Sequence, residues 1–262
     1  MSARTAAVVV SGASTGIGAA TAELLARRDF LVFAGVRSDA DAERIAHVHP
    51  NLRPVRLDVT DRDSIDRAMH EIGATNVPLH AVVSNAGIAL GGPLEHVPID
   101  RLRHQFEVNV FGALAFVQAA LSALRRGARV VFVGSVSGRL SIAYIGPYSA
   151  SKFALRAVAD ALRVELAPAG IAVSLVEPGS VRTPIWAKGR AARDRILATI
   201  EPARRAHYRA AVERVIAQTE AEERDGMSPE RVARTIVRAI QSPRPTMVAA
   251  WTTSSSAAPG LP

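Results

Sequence analysis

Tyr148 and Lys152 stand four residues apart in Tyr148-Ser149-Ala150-Ser151-Lys152, a spacing that puts both side chains on one helix face. An ammonium beside a phenol favours the phenolate, so the Tyr pKa is expected below its ordinary value of about 10, which makes the phenol a usable acid and base. Alone the pair is a weak signal, because a surface Tyr and a solvated Lys give the same pattern by chance. Composition adds weight. Lys+Arg is 32 and only Lys152 and Lys188 are lysines, so a compact titratable ammonium appears in a chain that otherwise uses guanidinium. Ser135 lies thirteen residues before Tyr148, in Gly134-Ser135-Val136-Ser137-Gly138 after the apolar run 129–133. A strand end followed by a loop and a helix can bring that hydroxyl back beside the Tyr and Lys.

A second group of residues could hold phosphate. Ser11-Gly12-Ala13-Ser14-Thr15-Gly16-Ile17-Gly18 follows the Val-rich run 6–10 and precedes the Ala-rich stretch 19–28, which is strand, glycine turn, helix. Glycines let the backbone approach a pyrophosphate, and a helix N-terminus offers unpaired N–H groups and a positive dipole end. The spacing is Gly-x-x-x-Gly-x-Gly rather than the commoner Gly-x-Gly-x-x-Gly, and a tight connection is the bland alternative. The strand over 30–36 ends in Val36-Arg37-Ser38 with no carboxylate. Arg37 and Ser38 can accept a 2′-phosphate, which favours NADP(H), while Asp39 and Asp41 just beyond keep NAD(H) open. The alternative reading of Arg37 is an ordinary loop charge. Asp58, closing the strand read over 55–60, either accepts from an adenine amino group or caps the helix that starts near Asp63.

The elements that must position these residues alternate. Strands over 6–10, 30–36, 55–60, 79–83, 129–133 and 171–176, with helices between them, predict an α/β fold, a doubly wound parallel sheet of Rossmann type in a single domain over 1–250. Ligands then bind at the carboxyl ends of the strands, where every motif named here falls. Residues 101–124 read as one long helix, in which Asn109 is either a tolerated polar residue or placed to hydrogen-bond across the sheet. The segment 184–226 is helical and charged, a lid over the substrate or a plain pair of surface helices. A last helix over 229–241 precedes a short strand at 246–250, and the Ser-, Ala-, Pro- and Gly-rich tail 251–262 is expected to be disordered.

Composition sets bounds. With 262 residues, 48% hydrophobic, the chain can bury one sizeable core. Cysteine is absent, which excludes disulfide frameworks, thiolate zinc sites and cysteine nucleophiles. The seven histidines show no metal-ligand grouping, so no metal is expected. The N-terminal apolar run is too short for a signal peptide, and no run of about 20 apolar residues stands out as a membrane span; the expectation is a cytoplasmic protein without a membrane partner. The net charge is +8, but the arginines are scattered, without zinc-finger or basic-zipper spacing, so no nucleic-acid partner is expected.

Taken together, these residues resemble the short-chain dehydrogenase/reductase family over roughly residues 5–185. Five motifs occur in the family's order: the glycine turn ending at Gly18, Asp58-Val59, Asn85-Ala86-Gly87, Ser135 with Tyr148 and Lys152, and Pro178-Gly179. The wording is most similar to the retinol and hydroxysteroid dehydrogenase type, while Ser84 replaces a common first Asn and the usual glycine-rich ending is replaced by the Trp251 tail. The resemblance implies an NAD(P)-dependent oxidoreductase that interconverts an alcohol and a ketone or aldehyde, with Asn109, Ser135, Tyr148 and Lys152 as its catalytic tetrad. It implies that Gly12, Ser14, Thr15, Gly16, Ile17, Gly18, Asp58, Val59, Asn85, Ala86, Gly87, Pro178, Gly179, Val181 and Thr183 border the cofactor, beside Arg37 and Ser38. It also implies a homodimer or homotetramer built through the helices over 101–124 and 148–166. Val136, Leu140, Ile142, Tyr144, Ile185 and Trp186 flank the site and suggest an apolar pocket for a small hydrophobic alcohol or carbonyl substrate, although several could be core residues. Arg139, Arg182, Lys188 and Arg190 could instead pair with an anionic substrate group. An NADP-binding regulator or scaffold without turnover, and an arginine-driven nucleic-acid binder, are the readings from other classes.

Overall fold

The computed structural model describes residues 6–242. Six strands, β1 Ala7–Val10, β2 Leu31–Val36, β3 Leu52–Arg56, β4 Leu79–Ser84, β5 Leu124–Val133 and β6 Ala172–Val176, form one sheet in the order β3-β2-β1-β4-β5-β6. All five pairings are parallel. Parallel strands need crossover connections, and the helices that supply them cover both faces, which is why β1, β2 and β4 are apolar on both sides, while edge strand β3 alternates with exposed arginines. Pro54 sits in β3, at a sheet edge, where a missing N–H is tolerated.

Alternate strand residues feed two cores. Val8, Val10, Val32, Ala34, Val83 and Val131 pack with Leu25 of α1 (Gly16–Ala26), Ile45 of α2 (Asp39–Ala46) and Val232, Ile236 and Ile240 of α9 (Pro229–Gln241). Val9, Phe33, Val82, Val130 and Phe132 pack on the other face, against Ile65 of α3 (Arg62–Ala74), Phe116 of α5 (Gly112–Ala120) and Leu155 of α6 (Gly146–Glu165). A third, small cluster joins Leu90 and Val97 to Ile196 of α7 (Ile185–Thr199). Helix α8 (Pro202–Asp225) follows α7 and packs on it.

The helix expected over 101–124 differs in one way that matters. It begins as α4, Ile99–Phe106, widens into a π turn at Glu107–Phe111, and continues as α5 to a closing 3₁₀ turn at Leu121–Ala123. The π turn admits one extra residue, and Asn109 sits in it, 1% exposed. The stretch Ile99–Ala123 is also long and apolar enough, by length and composition, to cross a membrane, contrary to the expectation that no run stood out. Packing accounts for its apolarity: Phe116, Val117 and Ala120 are fully buried beneath the sheet, and α5 contacts β4, β5 and α3. The strand and tail expected at 246–262 lie outside the described residues.

Phe116 is fully buried in the core that carries this helix. Phe116→Ala is expected to lower unfolding free energy by about 3–5 kcal/mol, read from urea denaturation of the two proteins.

Candidate active site

The sheet order reverses between β1 and β4, and the chain leaves these two strand ends in opposite directions. Ser11 bridges the gap. Its hydroxyl accepts from the backbone N–H groups of Asn85 and Ala86 at 3.0 and 3.1 Å and donates to the Val83 carbonyl at 3.4 Å. Asn85 returns the contact, its amide nitrogen donating to the carbonyls of Ser11 and Gly12, each at 3.0 Å. The glycine turn is therefore clamped to the end of β4 through side chains as well as strand pairing. Gly12 and Gly16 take positive φ, 63° and 58°, and a Cβ on Gly12 would lie 2.9 Å from Ala86 Cα. A Cβ on Gly18 would lie 2.2 Å from the Gly12 carbonyl oxygen, and one on Gly16 would lie 2.9 Å from Thr183 Cγ2. Helix α1 starts here with no side-chain cap and no acidic residue in its first turn. Its opening N–H groups and dipole end thus suit an anion, so the residues present fit the pyrophosphate of a dinucleotide. Ile17 packs on the core beneath the turn.

At the end of β2, Arg37 is exposed, and Ser38 caps α2 by accepting from the Asp41 N–H at 3.2 Å. The Ser38 hydroxyl donates to Asp41 Oδ2 at 2.8 Å, and Arg44 Nη2 donates to Asp41 Oδ1 at 2.8 Å and to the Ser14 carbonyl at 2.6 Å. Arg44 was not among the sequence candidates, although its i+3 spacing from Asp41 was a usable signal. Asp58 does not cap α3. That helix is capped by Asp61, which accepts from the Asp63 N–H, whereas Asp58 accepts from the N–H and hydroxyl of Thr60 at 2.9 and 2.7 Å. This local turn ends β3 at Arg56, short of the strand expected to reach 60. Burial pushes the Asp58 carboxyl up, but the two Thr60 hydrogen bonds and the Arg37 charge outweigh it and hold the group below its usual value. Val59 puts its side chain in the core, 6% exposed.

Tyr148 and Lys152 lie in the first turns of α6, which has Pro147 near its start and lacks a side-chain cap. The Ser135 hydroxyl lies near enough to the Tyr148 phenol to draw its pKa down, and accepts from the Ser137 N–H at 3.1 Å. Lys152 Nζ lies 5.8 Å from the Tyr148 ring centroid and donates to the Val133 carbonyl at 3.0 Å. Gly87 lies beside them: a Cβ there would be 3.4 Å from Asn109 Oδ1 and 3.7 Å from Lys152 Nζ. Asn109 accepts from the Ile88 N–H and donates to the Ile88 carbonyl, both at 2.9 Å, and donates to Ser151 Oγ at 3.0 Å. Ser151 in turn donates to the Tyr148 carbonyl at 2.7 Å. One turn before Asn109, fully buried Gln105 accepts from the Leu90 N–H at 2.5 Å, so the two amides grip the loop after β4 at 88 and 90. Gln105 and Ser151 were not sequence candidates; the i, i+4 spacing of Gln105 from Asn109 was the available clue.

The expectation for the Tyr148 pKa is reversed. Burial pushes the phenol above its ordinary value, with the nearby Ser135 hydroxyl pulling the other way, and burial lowers Lys152 to about 8. A low-dielectric site penalises whichever form is charged, which moves the two groups in opposite directions.

The residues expected to flank a substrate divide. Val136, Tyr144, Ile185 and Trp186 are partly buried, while Leu140 is 51% and Ile142 40% exposed. Val136 N–H donates to the Pro178 carbonyl at 3.0 Å, and the Trp186 indole N–H donates to the Val181 carbonyl at 2.7 Å. Val181 itself is buried and pairs with Met227. Tyr144 takes a positive φ of 68°, and its ring meets Tyr208 of α8 edge-on at 6.5 Å. Three of the four cations proposed for an anionic substrate group are engaged within the protein. Arg139 donates to Glu177, 1% exposed, at 2.7 Å, and Arg156 donates to the same carboxylate at 3.0 Å; Arg182 donates to the Gly226 carbonyl; Arg190 pairs with Glu223. Lys188 is exposed.

This geometry has known counterparts. Residues 6–194 match the model of the short chain dehydrogenase family. The chain belongs to that family. Its members are oxidoreductases that act between CH–OH and carbonyl groups with NAD(P). An NADPH-dependent 3-dehydrocapnine reductase from Ornithobacterium rhinotracheale is 39% identical over 191 residues, covering 70% of this chain and 68% of the relative. A short-chain dehydrogenase from Streptomyces avermitilis is similar in structure, with TM-score 0.79 at 29% identity over 95% of this chain and 89% of the other. A family member from Burkholderia phymatum, solved in complex with NAD, has TM-score 0.75 at 25% identity, over 89% of this chain and 85% of the other. The fold and its parallel six-stranded sheet are thus those of the short-chain dehydrogenases.

Burial of Lys152 gives a pH signature. Its ordinary value is 10.5 and its folded value about 8, so between those limits the unfolded chain holds a proton that the folded chain has released. The cost of burying the ammonium is full below pH 8 and fades as pH rises toward 10.5. Tyr148, raised in the fold, works against stability only above about pH 10. Wild-type protein is therefore expected to gain stability relative to Lys152→Met between about pH 8 and 10 in paired urea titrations; a flat difference across that window contradicts the burial of the amine.

Proposed function

We propose that the chain interconverts a hydrophobic secondary alcohol and its ketone or aldehyde, with NADP(H) favoured over NAD(H). The observation that carries this reading is the meeting of Ser135, Tyr148 and buried Lys152 at the carboxyl end of β5, beside a glycine turn fitted to a dinucleotide. When bound, the nicotinamide cofactor supplies or takes the hydride. Tyr148 gives its phenolic proton to the substrate oxygen in reduction and removes it in oxidation. Ser135, beside that phenol, donates to the same oxygen as negative charge develops. Lys152 stabilises the phenolate that reduction leaves behind and orients the cofactor's ribose. Asn109 acts by holding the turn at Gly87 and Ile88 against the lysine.

Arg37 at the end of β2, with no carboxylate in its place, supports the preference for a 2′-phosphate. The partly buried Val136, Tyr144, Ile185 and Trp186 support an apolar substrate, and engagement of Arg139, Arg182 and Arg190 inside the protein weakens the anionic alternative. Helices α7 and α8 act as a lid over 184–226, seated through Ile196 on Leu90 and Val97 and through Tyr208 on Tyr144. Phe111 is 55%, Phe153 43% and Val164 74% exposed. These apolar side chains, on the π turn and α6, support assembly into a homodimer or homotetramer through those helices.

Tyr148→Phe is expected to lower turnover by at least about 10²-fold while leaving the dissociation constant for NADP+ within a few-fold of wild type. NADPH consumption across a panel of ketones and aldehydes, with calorimetric titration of the cofactor, reads both quantities. Wild-type turnover in the variant contradicts the mechanism.

A further inference from the structure

Selection of the non-phosphorylated cofactor at the end of β2 requires a carboxylate with free oxygens to accept from the ribose hydroxyls. The nearest candidates are the two aspartates in the first turn of α2, Asp39 and Asp41. Neither is free. Asp39 points to Arg56 at 3.4 Å and is 89% exposed. Asp41 has one oxygen bonded to Ser38 and the other to Arg44, each at 2.8 Å. Arg44 also reaches across to the Ser14 carbonyl at 2.6 Å, so its guanidinium sits between the glycine turn and the start of α2. Both Arg44 bonds use Nη2, and Nε and Nη1 carry no hydrogen bond among the described residues. An exposed i, i+3 pair such as Asp41 with Arg44 adds little to stability, so the consequence of the pairing lies in which charge faces the cleft.

We propose that Arg44 is a determinant of cofactor specificity: it occupies the carboxylate that would otherwise accept the ribose diol of NAD, and with Arg37 it presents N–H donors to a 2′-phosphate. The inference rests on the dinucleotide reading of the glycine turn. It predicts opposite effects on two ligands from one substitution, which loss of structure does not produce. The Asp41 carboxyl is held below its ordinary value by the Arg44 hydrogen bond first and the Ser38 hydrogen bond second, consistent with an ionised group already satisfied. Lys188 on α7 adds a smaller attraction to the same carboxylate, keeping the local balance of charge positive.

The test is binding, measured by calorimetry with NADP+, NAD+, 2′,5′-ADP and 5′-AMP on the full chain. Arg44→Met is expected to weaken NADP+ and 2′,5′-ADP by about tenfold or more and to strengthen NAD+ several-fold as Asp41 is released. Adding Asp41→Asn should erase the NAD+ gain without restoring NADP+. Arg44→Lys, which keeps the charge but not the planar fork, should fall between wild type and Arg44→Met. A wild type that binds 2′,5′-ADP no tighter than 5′-AMP would overturn the phosphate reading and this proposal with it. A wild-type preference that survives intact in Arg44→Met would overturn the assignment of Arg44 alone.

Discussion

The cleft depends on one small hydroxyl. Ser11 stands where the two halves of the sheet diverge, and the three hydrogen bonds of its Oγ tie the carboxyl end of β1 to the chain leaving β4. Backbone groups at diverging strand ends lose their ladder partners, and a buried polar group without a partner is costly. Ser11 and Asn85 supply those partners from side chains. The glycine turn on one side and the Ala86-Gly87 turn on the other are thereby held at a fixed separation. Gly87 then sets the approach of Lys152 and Asn109, so the glycine turn and the Tyr148–Lys152 group share a single support.

The Lys152 amine is shut away from water. Lys152 is 5% exposed and bonded to a backbone carbonyl, in a protein where nearly every other cation is an arginine. Among the described residues no carboxylate forms an ion pair with it. Around it the scaffold is stiffened by charge at one remove: buried Glu177 takes Arg139, from the turn after Ser135, and Arg156, one helical turn beyond Lys152. That ion cluster joins the ends of β5 and β6 to α6. Glu177 is 1% exposed, so losing both arginines would leave a buried charge uncompensated, and the two pairings tie the elements that carry Ser135 and Tyr148 to one another.

Much of this was legible in the residues. The glycine turn, Ser135, Tyr148 and Lys152 are local patterns with fixed spacing, and the alternation of Val-rich runs with helices carried the sheet class. What was hidden depends on partners far apart in sequence. Arg44 meets Ser14 across 30 residues, and Arg139 meets Glu177 across 38; no local spacing announces either. Asp58 and Asp61 are both plausible caps by type, and only backbone geometry separates them. The tuning of Tyr148 misled because sequence records the neighbouring cation but not the burial that outweighs it. The break in the helix over 99–123 was invisible because apolar residues continue through it on both sides.

That break sets phase. One extra residue in a helix rotates everything beyond it by about 100° relative to an unbroken α-helix. Upstream of the π turn, Gln105 addresses the loop after β4, and downstream, Phe116 and Val117 address the sheet. A regular helix could not serve both surfaces with these residues in this order. The wide turn therefore works as a one-residue gear between two packing surfaces, and its number of residues, more than their identity, decides whether Asn109 meets Ile88 and Ser151.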